Sequence, residues 1–417
     1  MSSPTTEVPK PETRPKLPEG WRWVRLGDVT KVVGGSTPKT GIKEYWNGDI
    51  VWITPADLGK LSTREIYSSG RKITQLGYES SGAELVPVKT VVMSSRAPIG
   101  HLGIAAVPLC TNQGCKSFIP SESIDSVYLY FVLKQAVPEL QLLGRGATFL
   151  EISKTQLENY FIPLPPLETQ RRIAAILTEQ MEAVEKARKA AEEGLEAARK
   201  LTAGHLRAVF ESEEARGWPG RLAREIGAVS GGIQKTPQRK PSAFHKPFLT
   251  VRNVQNGWID LSNVERFEVT PEELKRYRLV RGDLLIVEGN GSREHIGRCA
   301  IFHGEIEDCV HQNHLIRLRC HETASPTYLF WYLASPDGRK RLLEKAKTTT
   351  GLYTLSVSKI EALEVPLPPL ETQHRIVAEL NAKLEATQAL IRSLEAQLEA
   401  IRALPAAILR RAFSGEL

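Results

Sequence analysis

The sequence predicts an α+β protein in which two mixed α/β domains alternate with two long helices that pair as an antiparallel coiled coil, in a pseudo-twofold internal repeat. Three observations predict it. The octapeptide PLPPLETQ occurs at Pro163–Gln170 and again at Pro366–Gln373, 203 residues apart. Ahead of each copy lie about 150 residues of strand-like, loop-rich sequence, and after each come about 44 residues of helical sequence. Apolar residues in both helical segments recur at alternating spacings of three and four, the signature of a coiled-coil seam.

The repeat fixes the architecture, so it is followed first. Gly20-Trp21 returns as Gly217-Trp218 and Gly34-Gly35 as Gly231-Gly232, both offset by 197. Tyr128-Leu129 returns as Tyr328-Leu329 at an offset of 200, and from Pro163 the offset is 203. Small loop insertions account for the drift. The boundaries that follow are a disordered Pro-rich tail over 1–17, a first domain over 18–166, a helix over 167–210, a linker over 211–220, a second domain over 221–369, and a second helix with a C-terminal segment over 370–417.

Within the domains, VVMSSRAPIGHLGIAAV and DLLIVEGNGSREHIGRCAIF each read as two short strands around a polar, Gly-containing turn. SVYLYFVLKQA and SPTYLFWYLAS read as matching amphipathic helices. The PLPP run holds the chain extended, because a residue before proline is driven out of the helical region, and so turns it before the helix starts at LETQ. The second seam is Val377, Leu380, Leu384, Thr387, Ile391, Leu394, Leu398 and Ile401. Subtracting 203 gives Ala174, Leu177, Met181, Val184, Arg188, Ala191, Leu195 and Ala198. One helix thus carries large residues where the other carries mostly small ones, and 44 residues make a rod of roughly 66 Å. Pro405 is expected to kink or restart the second helix.

Composition limits the functions open to such a chain. At 417 residues it exceeds one ordinary core. The 55 Lys and Arg exceed the 48 Asp and Glu to leave a net charge of +7, which suits a polyanionic partner. The five cysteines form no CxxC pair and read as buried free thiols of a cytoplasmic protein. No apolar run reaches the length needed to span a bilayer, and the start has no apolar core of a signal peptide. There is no GxxxxGK[ST] loop, no GxGxxG after a strand, no HExxH and no Cys/His cluster. Gly144-Arg-Gly146 and Gly289-Asn-Gly291 read as turns, and the Asn-Pro-Pro-aromatic tetrapeptide with which amino-methyltransferases hold an extruded base is missing. His311 and His314 are the only close histidine pair, better suited to hydrogen bonding or nucleic-acid contact than to a metal.

The duplicated module and its motifs resemble the specificity subunit of type I restriction-modification enzymes. The residues that carry the resemblance are GWRWVRLGDV, GGSTP at 34–38, WITPADL at 52–58, SSRAPIG at 94–100, TNQGCKSF at 111–118, both PLPPLETQ helices and the ending RRAFSGEL. It implies a non-catalytic subunit with two target recognition domains, each reading one half of a split, asymmetric site in double-stranded DNA. It also implies paired spacer helices that dock two methyltransferase subunits, which bind S-adenosylmethionine and methylate adenine. An ATP- and Mg2+-dependent restriction subunit would join them, and this chain would hold no cofactor or metal. Two alternatives remain: a specificity subunit serving a fused restriction-methylation enzyme, and a coiled-coil scaffold whose modules bind proteins.

Phosphates call for Lys and Arg, and base edges for Arg, Asn, Gln and Ser. The candidates for DNA contact are Thr37, Lys39, Arg71, Lys72, Arg96, Asn112 and Gln113 in the first domain, and Lys235, Arg252, Asn253, Asn290, Ser292, Arg293, Gln312, Asn313 and His314 in the second. Asn112-Gln113-Gly114 aligns with Gln312-Asn313-His314, so these amides either read bases or tie down loops. The candidates for partner contact are Leu167, Arg172 and Ile173 with Leu370, Arg375 and Ile376, where the LETQ repeat continues. GGSTPKT becomes GGIQKTP and SSRAPIG becomes GNGSREHIG in the second copy, so the two half-sites are expected to differ.

Overall fold

The computed structural model describes residues 14–96, 98–144, 151–234, 244–289, 296–346 and 353–417. The chain forms two compact units, residues up to Ala191 together with Gln397–Leu417, and residues Glu192–Ala396. Each long helix therefore gives its first part to the unit that precedes it and its last part to the other.

In the first unit a five-stranded mixed sheet has the order β2 (Thr30–Gly34), β9 (Cys115–Pro120), β6 (Val91–Ser94), β7 (Leu102–Ala105), β4 (Glu65–Ile66). A three-stranded sheet has the order β5 (Arg71–Ile73), β3 (Trp46–Ile53), β8 (Leu109–Thr111), and β1 (Arg22–Arg25) pairs with β10 (Phe161–Leu164). The central strand VVMS is buried throughout because both its faces are covered. Val91 and Met93 face the helix Ser126–Leu143, while Val92 joins Val51 and Ile53 in a separate core.

The second unit repeats the plan. Its sheets have the orders β12 (Gly227–Ser230), β18 (Leu315–Cys320), β15 (Leu284–Val287), β16 (Cys299–Ile301), and β14 (Glu265–Glu268), β13 (His245–Leu249), β17 (Val310–His311). Here β11 (Gly220–Leu222) pairs with β19 (Glu364–Pro366). Leu284 and Ile286 face the helix Pro326–Ala334, and Leu285 and Val287 face the three-stranded sheet. Both strand–turn–strand expectations and both matching helices are thus met.

The repeated octapeptide has a structural purpose. Gln170 and Gln373 are fully buried at the start of the long helices Leu167–Phe210 and Leu370–Ser414. The Gln170 Oε1 accepts from the Asp125 N–H at 2.9 Å, and its Nε2 donates to the carbonyls of Ser123 at 3.0 Å and Pro165 at 2.9 Å. Gln373 does the same with Ser325 N–H at 2.8 Å, Thr323 O at 3.0 Å and Pro368 O at 2.8 Å. Beside each amide a buried tyrosine completes the lock: Tyr128 donates to Pro163 O at 2.8 Å and Tyr328 to Pro366 O at 2.7 Å.

The returning helix ends close each core. Phe413 meets Tyr128 edge to face at 5.6 Å in the first unit, and Phe210 meets Tyr328 at 5.6 Å in the second. All sixteen seam positions are buried or half-buried. In the second unit Arg199 pairs with Glu395 at 2.9 Å and His205 with Thr387 at 3.1 Å, so the segments run antiparallel.

Two expectations need correcting, and a third segment gains detail. The second helix runs through Pro405 without interruption, because the buried Ile401, Leu409, Ala412 and Phe413 hold the turns on both sides of the missing hydrogen bond. The linker 211–220 is itself ordered, with Ser212 capping the helix Glu213–Arg216 and Trp218 packed on Tyr328 at 6.4 Å. Arg14, expected in a free tail, bonds Glu139 at 3.0 Å with its guanidinium 5.0 Å from the rings of both Trp23 and Tyr160. Residues 1–13 lie outside those described.

Removing one glutamine should cost about 3 kcal/mol, since it strands buried backbone groups of two segments. Urea unfolding of the Gln170→Ala and Gln373→Ala chains, each compared with wild type, is expected to show this loss in the domain that carries the change.

Candidate nucleic-acid interface

In the first unit the surface is built where three loops meet. The Gly34-Gly35 turn lies flat on the Thr111–Gly114 loop, with room for no side chain at Gly35: an added Cβ would collide with the carbonyls of Thr111 and Asn112. Ser36 N–H donates to Thr111 O at 2.9 Å, and Asn112 N–H to Ile53 O at 2.9 Å. These contacts bring Thr37 onto Gln113, and their side chains are hydrogen-bonded. Asn112 Oδ1 accepts from Gly114 N–H at 3.0 Å, so part of its amide ties down its own loop.

Two indoles form the floor next to this turn. Trp52 Nε1 donates to Ser36 O at 3.0 Å and Trp46 Nε1 to Lys39 O at 3.4 Å. Arg71 lies over them, its guanidinium 3.6 Å from the Trp46 ring centre and 5.6 Å from that of Trp52. Lys39 and Arg71 are exposed and Lys72 is half-buried. On the other side of the loop, Arg96 lies 3.9 Å and the buried Lys116 3.7 Å from Glu151. Six of the seven candidates of this domain thus gather around these loops, whereas Lys72, the register partner of Val51, lies on the other face of its strand from Arg71.

The second unit builds the same frame with different tips. Gly232 packs on the carbonyls of His311 and Gln312, Ile233 N–H donates to His311 O at 2.8 Å, and Gln312 N–H donates to Leu249 O at 2.9 Å. Gln312 and Asn313 are half-buried, and the exposed His314 bonds Glu288 at 2.8 Å. Arg252 is exposed. Asn253 is only 3% exposed and spends its side chain on Thr250, Asp260 and Asn263, so it holds the loop and does not face solvent. Lys235, Asn290, Ser292 and Arg293 lie outside the described residues.

The sequence reading missed the indole floor, Lys116, Glu151 and Glu288. Only the two tryptophans left a trace in it, in the run YWNGDIVW. Among the described residues no cluster of three or more His, Cys, Asp or Glu could hold a metal ion, and no helix is long and apolar enough to cross a membrane.

The family described as type I restriction modification DNA specificity domain matches residues 18–193 and 228–400, most of the chain. The chain belongs to the family of type I restriction-modification specificity subunits. It is similar to the MjaIX specificity subunit of Methanocaldococcus jannaschii, with 40% identity over 165 residues, 39% of this chain and 38% of that one. It is also similar to the EcoKI specificity subunit of Escherichia coli, with 25% identity across 96% of this chain and 90% of that one. Its fold is that of the HsdS subunit of Thermoanaerobacter tengcongensis, with a TM-score of 0.67 and 22% identity over 97% of this chain and 99% of that one. As a specificity subunit the chain serves DNA recognition in a type I system and is not itself an enzyme.

The partner candidates of this specificity subunit divide by burial. Ile173 and Ile376 are 0% and 4% exposed and sit in the two cores, so they anchor the helices and offer nothing to a partner. Arg172 and Leu370 are exposed and Leu167 is half-buried. Arg375, also exposed, pairs with Glu379 at 3.1 Å and Glu214 at 3.4 Å.

His311 is fully buried beneath the Gln312–His314 loop, and its Nδ1–H donates to Tyr277 O at 3.3 Å. Burial, helped by the nearby Arg317 guanidinium, pushes its imidazole from 6.5 down to about 3. Below pH 6.5 the unfolded chain takes up a proton that the folded chain refuses, so stability falls as pH drops from 6.5 toward 3, by about 1.4 kcal/mol per unit. His311→Asn keeps a donor for Tyr277 and is expected to flatten this loss, measured by urea unfolding at pH 7, 6, 5 and 4.

Proposed function

We propose that each unit reads one half of a split, asymmetric site in double-stranded DNA, and that the long helices position adenine methyltransferase subunits, and with them the restriction subunit, on that site. One observation carries this reading. The glutamine–tyrosine lock and the Gly-Gly turn are built alike in both units, whereas the tips they support differ, Thr37–Gln113 with Arg71 and Arg96 in one and Gln312–Asn313–His314 with Glu288 in the other. A shared frame suits two copies of one partner, and unlike tips suit two unlike half-sites. Leu167 and Arg172 on one helix, and Leu370 and Arg375 on the other, are the partner surface in this proposal. S-adenosylmethionine, ATP and Mg2+ would serve the partner subunits, in the cytoplasm where the DNA is.

Exchanging residues 18–162 for the corresponding domain of another specificity subunit, with methylated adenines then mapped across a genome, is expected to change one half of the motif and leave the other intact. A change in both halves would show that the units are not independent readers. Affinity of the chain, assembled with its methyltransferase partner, for a duplex should fall linearly on a log–log plot against salt, with a slope of about −0.9 per neutralised phosphate. A flat salt response would favour a protein-binding scaffold.

A further inference from the structure

We infer that Arg71 reads a guanine in the half-site of the first unit, an assignment that rests on the function proposed above and names one base of its target. The guanidinium is mounted and not free to wander. It lies 3.6 Å from the centre of the Trp46 ring, and Trp52 meets Trp46 edge to face at 5.1 Å. Both indoles are core residues, 8% and 3% exposed, and their N–H groups are committed to the 36–39 turn.

The strand below Arg71 is equally held. Arg71 is the register partner of Trp52 in β3–β5, and the Ser69 hydroxyl links the two, accepting from Trp52 N–H at 3.1 Å and donating to Arg71 O at 2.6 Å. Among the described residues Arg71 forms no ion pair, and its side chain is exposed. Stacking uses the face of a guanidinium and leaves the in-plane N–H donors unspent.

Two parallel donors in a rigid plane match one base edge in the major groove. Guanine presents the acceptors N7 and O6 side by side, whereas adenine pairs an acceptor with the N6 donor, which would oppose an arginine N–H. A phosphate also accepts two hydrogen bonds but makes no demand for a fixed plane, and the exposed Lys39 of the adjoining turn supplies mobile charge for it.

Among the described residues the second unit holds no cation over the ring that occupies the place of Trp52. The bonds from Asn112 to Ile53 and from Gln312 to Leu249 place Trp52 and Phe248 at the same point of the frame. The β-partner of Phe248 is Glu265, and Phe248 stacks on Phe267 at 4.6 Å in place of a cation. The indole-mounted arginine is thus assigned to the first unit's half-site alone.

The test is to co-express wild type, R71K and R71Q with the methyltransferase partner and map methylated adenines, using the exchange of residues 18–162 to say which half belongs to the first unit. Wild type should show a guanine at a fixed place in that half. R71Q should admit other bases there, with discrimination falling by about tenfold or more, while every other position is retained. R71K, which keeps the charge but not the fork, should relax the same position less. If R71Q gives no methylation, R71K decides, since relaxation at the guanine supports the assignment and an unchanged motif overturns it. A half without guanine, or a uniform fall in methylation with the motif unchanged, overturns it as well, the latter marking a phosphate contact. A wild-type chain that yields no split motif would sink the proposed function itself, and the assignment with it.

Discussion

Everything in this molecule hangs on how two long helices leave their domains, and that is set by one buried amide in each. A primary amide carries two donors and an acceptor, enough to satisfy the N–H before one helix, a carbonyl in the loop leading to it, and a carbonyl of the Pro-rich run. Left unpaired in a core, such groups would each cost on the order of 1–3 kcal/mol, so the geometry that pairs them all is strongly preferred. The prolines matter here for what they lack. With no N–H to donate and a backbone held extended, they present carbonyls at Pro163 and Pro165, and again at Pro366 and Pro368, to the waiting tyrosine and glutamine.

Around this shared lock the two units have diverged in how they fill equivalent places. The strand registers align Thr90, Ser117 and Ile119 of the first with Asp283, Arg317 and Arg319 of the second. In the second unit Asp283 is fully buried and takes a bidentate bond from Arg319, at 2.7 Å to each oxygen. Arg317 bonds the carbonyls of Arg276 and Arg278 at 3.4 and 3.2 Å, beside the neutral His311. Charge inside a sheet layer calls for such partners, which Asp283 and Arg319 give each other, while Arg317 Nε stays buried without one. The first unit solves the same packing problem with small hydroxyls and an aliphatic residue.

The candidate DNA-facing surfaces follow a related economy of roles. Residues near the turn split into those that hold it, such as Asn253 with four side-chain hydrogen bonds to three residues and Asn112 with its own loop, and those left to face solvent, such as Lys39, Arg71, Gln113 and His314. A side chain that reads a base must be placed to within a fraction of a bond length, and the buried layer beneath it supplies that placement. Trp46 and Trp52 serve this end under Arg71. Gly35 and Gly232 serve it by letting two loops touch backbone to backbone.

The sequence by itself determined the duplication, the strand–turn–strand pairs, the helices over SVYLYFVLKQA and SPTYLFWYLAS, the seams with large residues in one helix and mostly small ones at the equivalent positions of the other, and the family, because each leaves a local or periodic mark. The tertiary structure alone decided which polar residues are structural and which are presented. Asn253 and Gln312 look alike as exposed-loop amides in one dimension, and only the fold shows one folded inward onto three backbone groups and one hydroxyl and the other half-buried at a surface. Ile173 and Ile376 look like a repeated docking motif and prove to be core, since the face a helix buries depends on what packs against it. Pro405 reads as a break and is carried within a helix, because burial on either side outweighs one lost hydrogen bond. Propensity and spacing are properties of neighbours along the chain, whereas exposure, partnering and the indole seat of Arg71 are set by segments tens of residues apart.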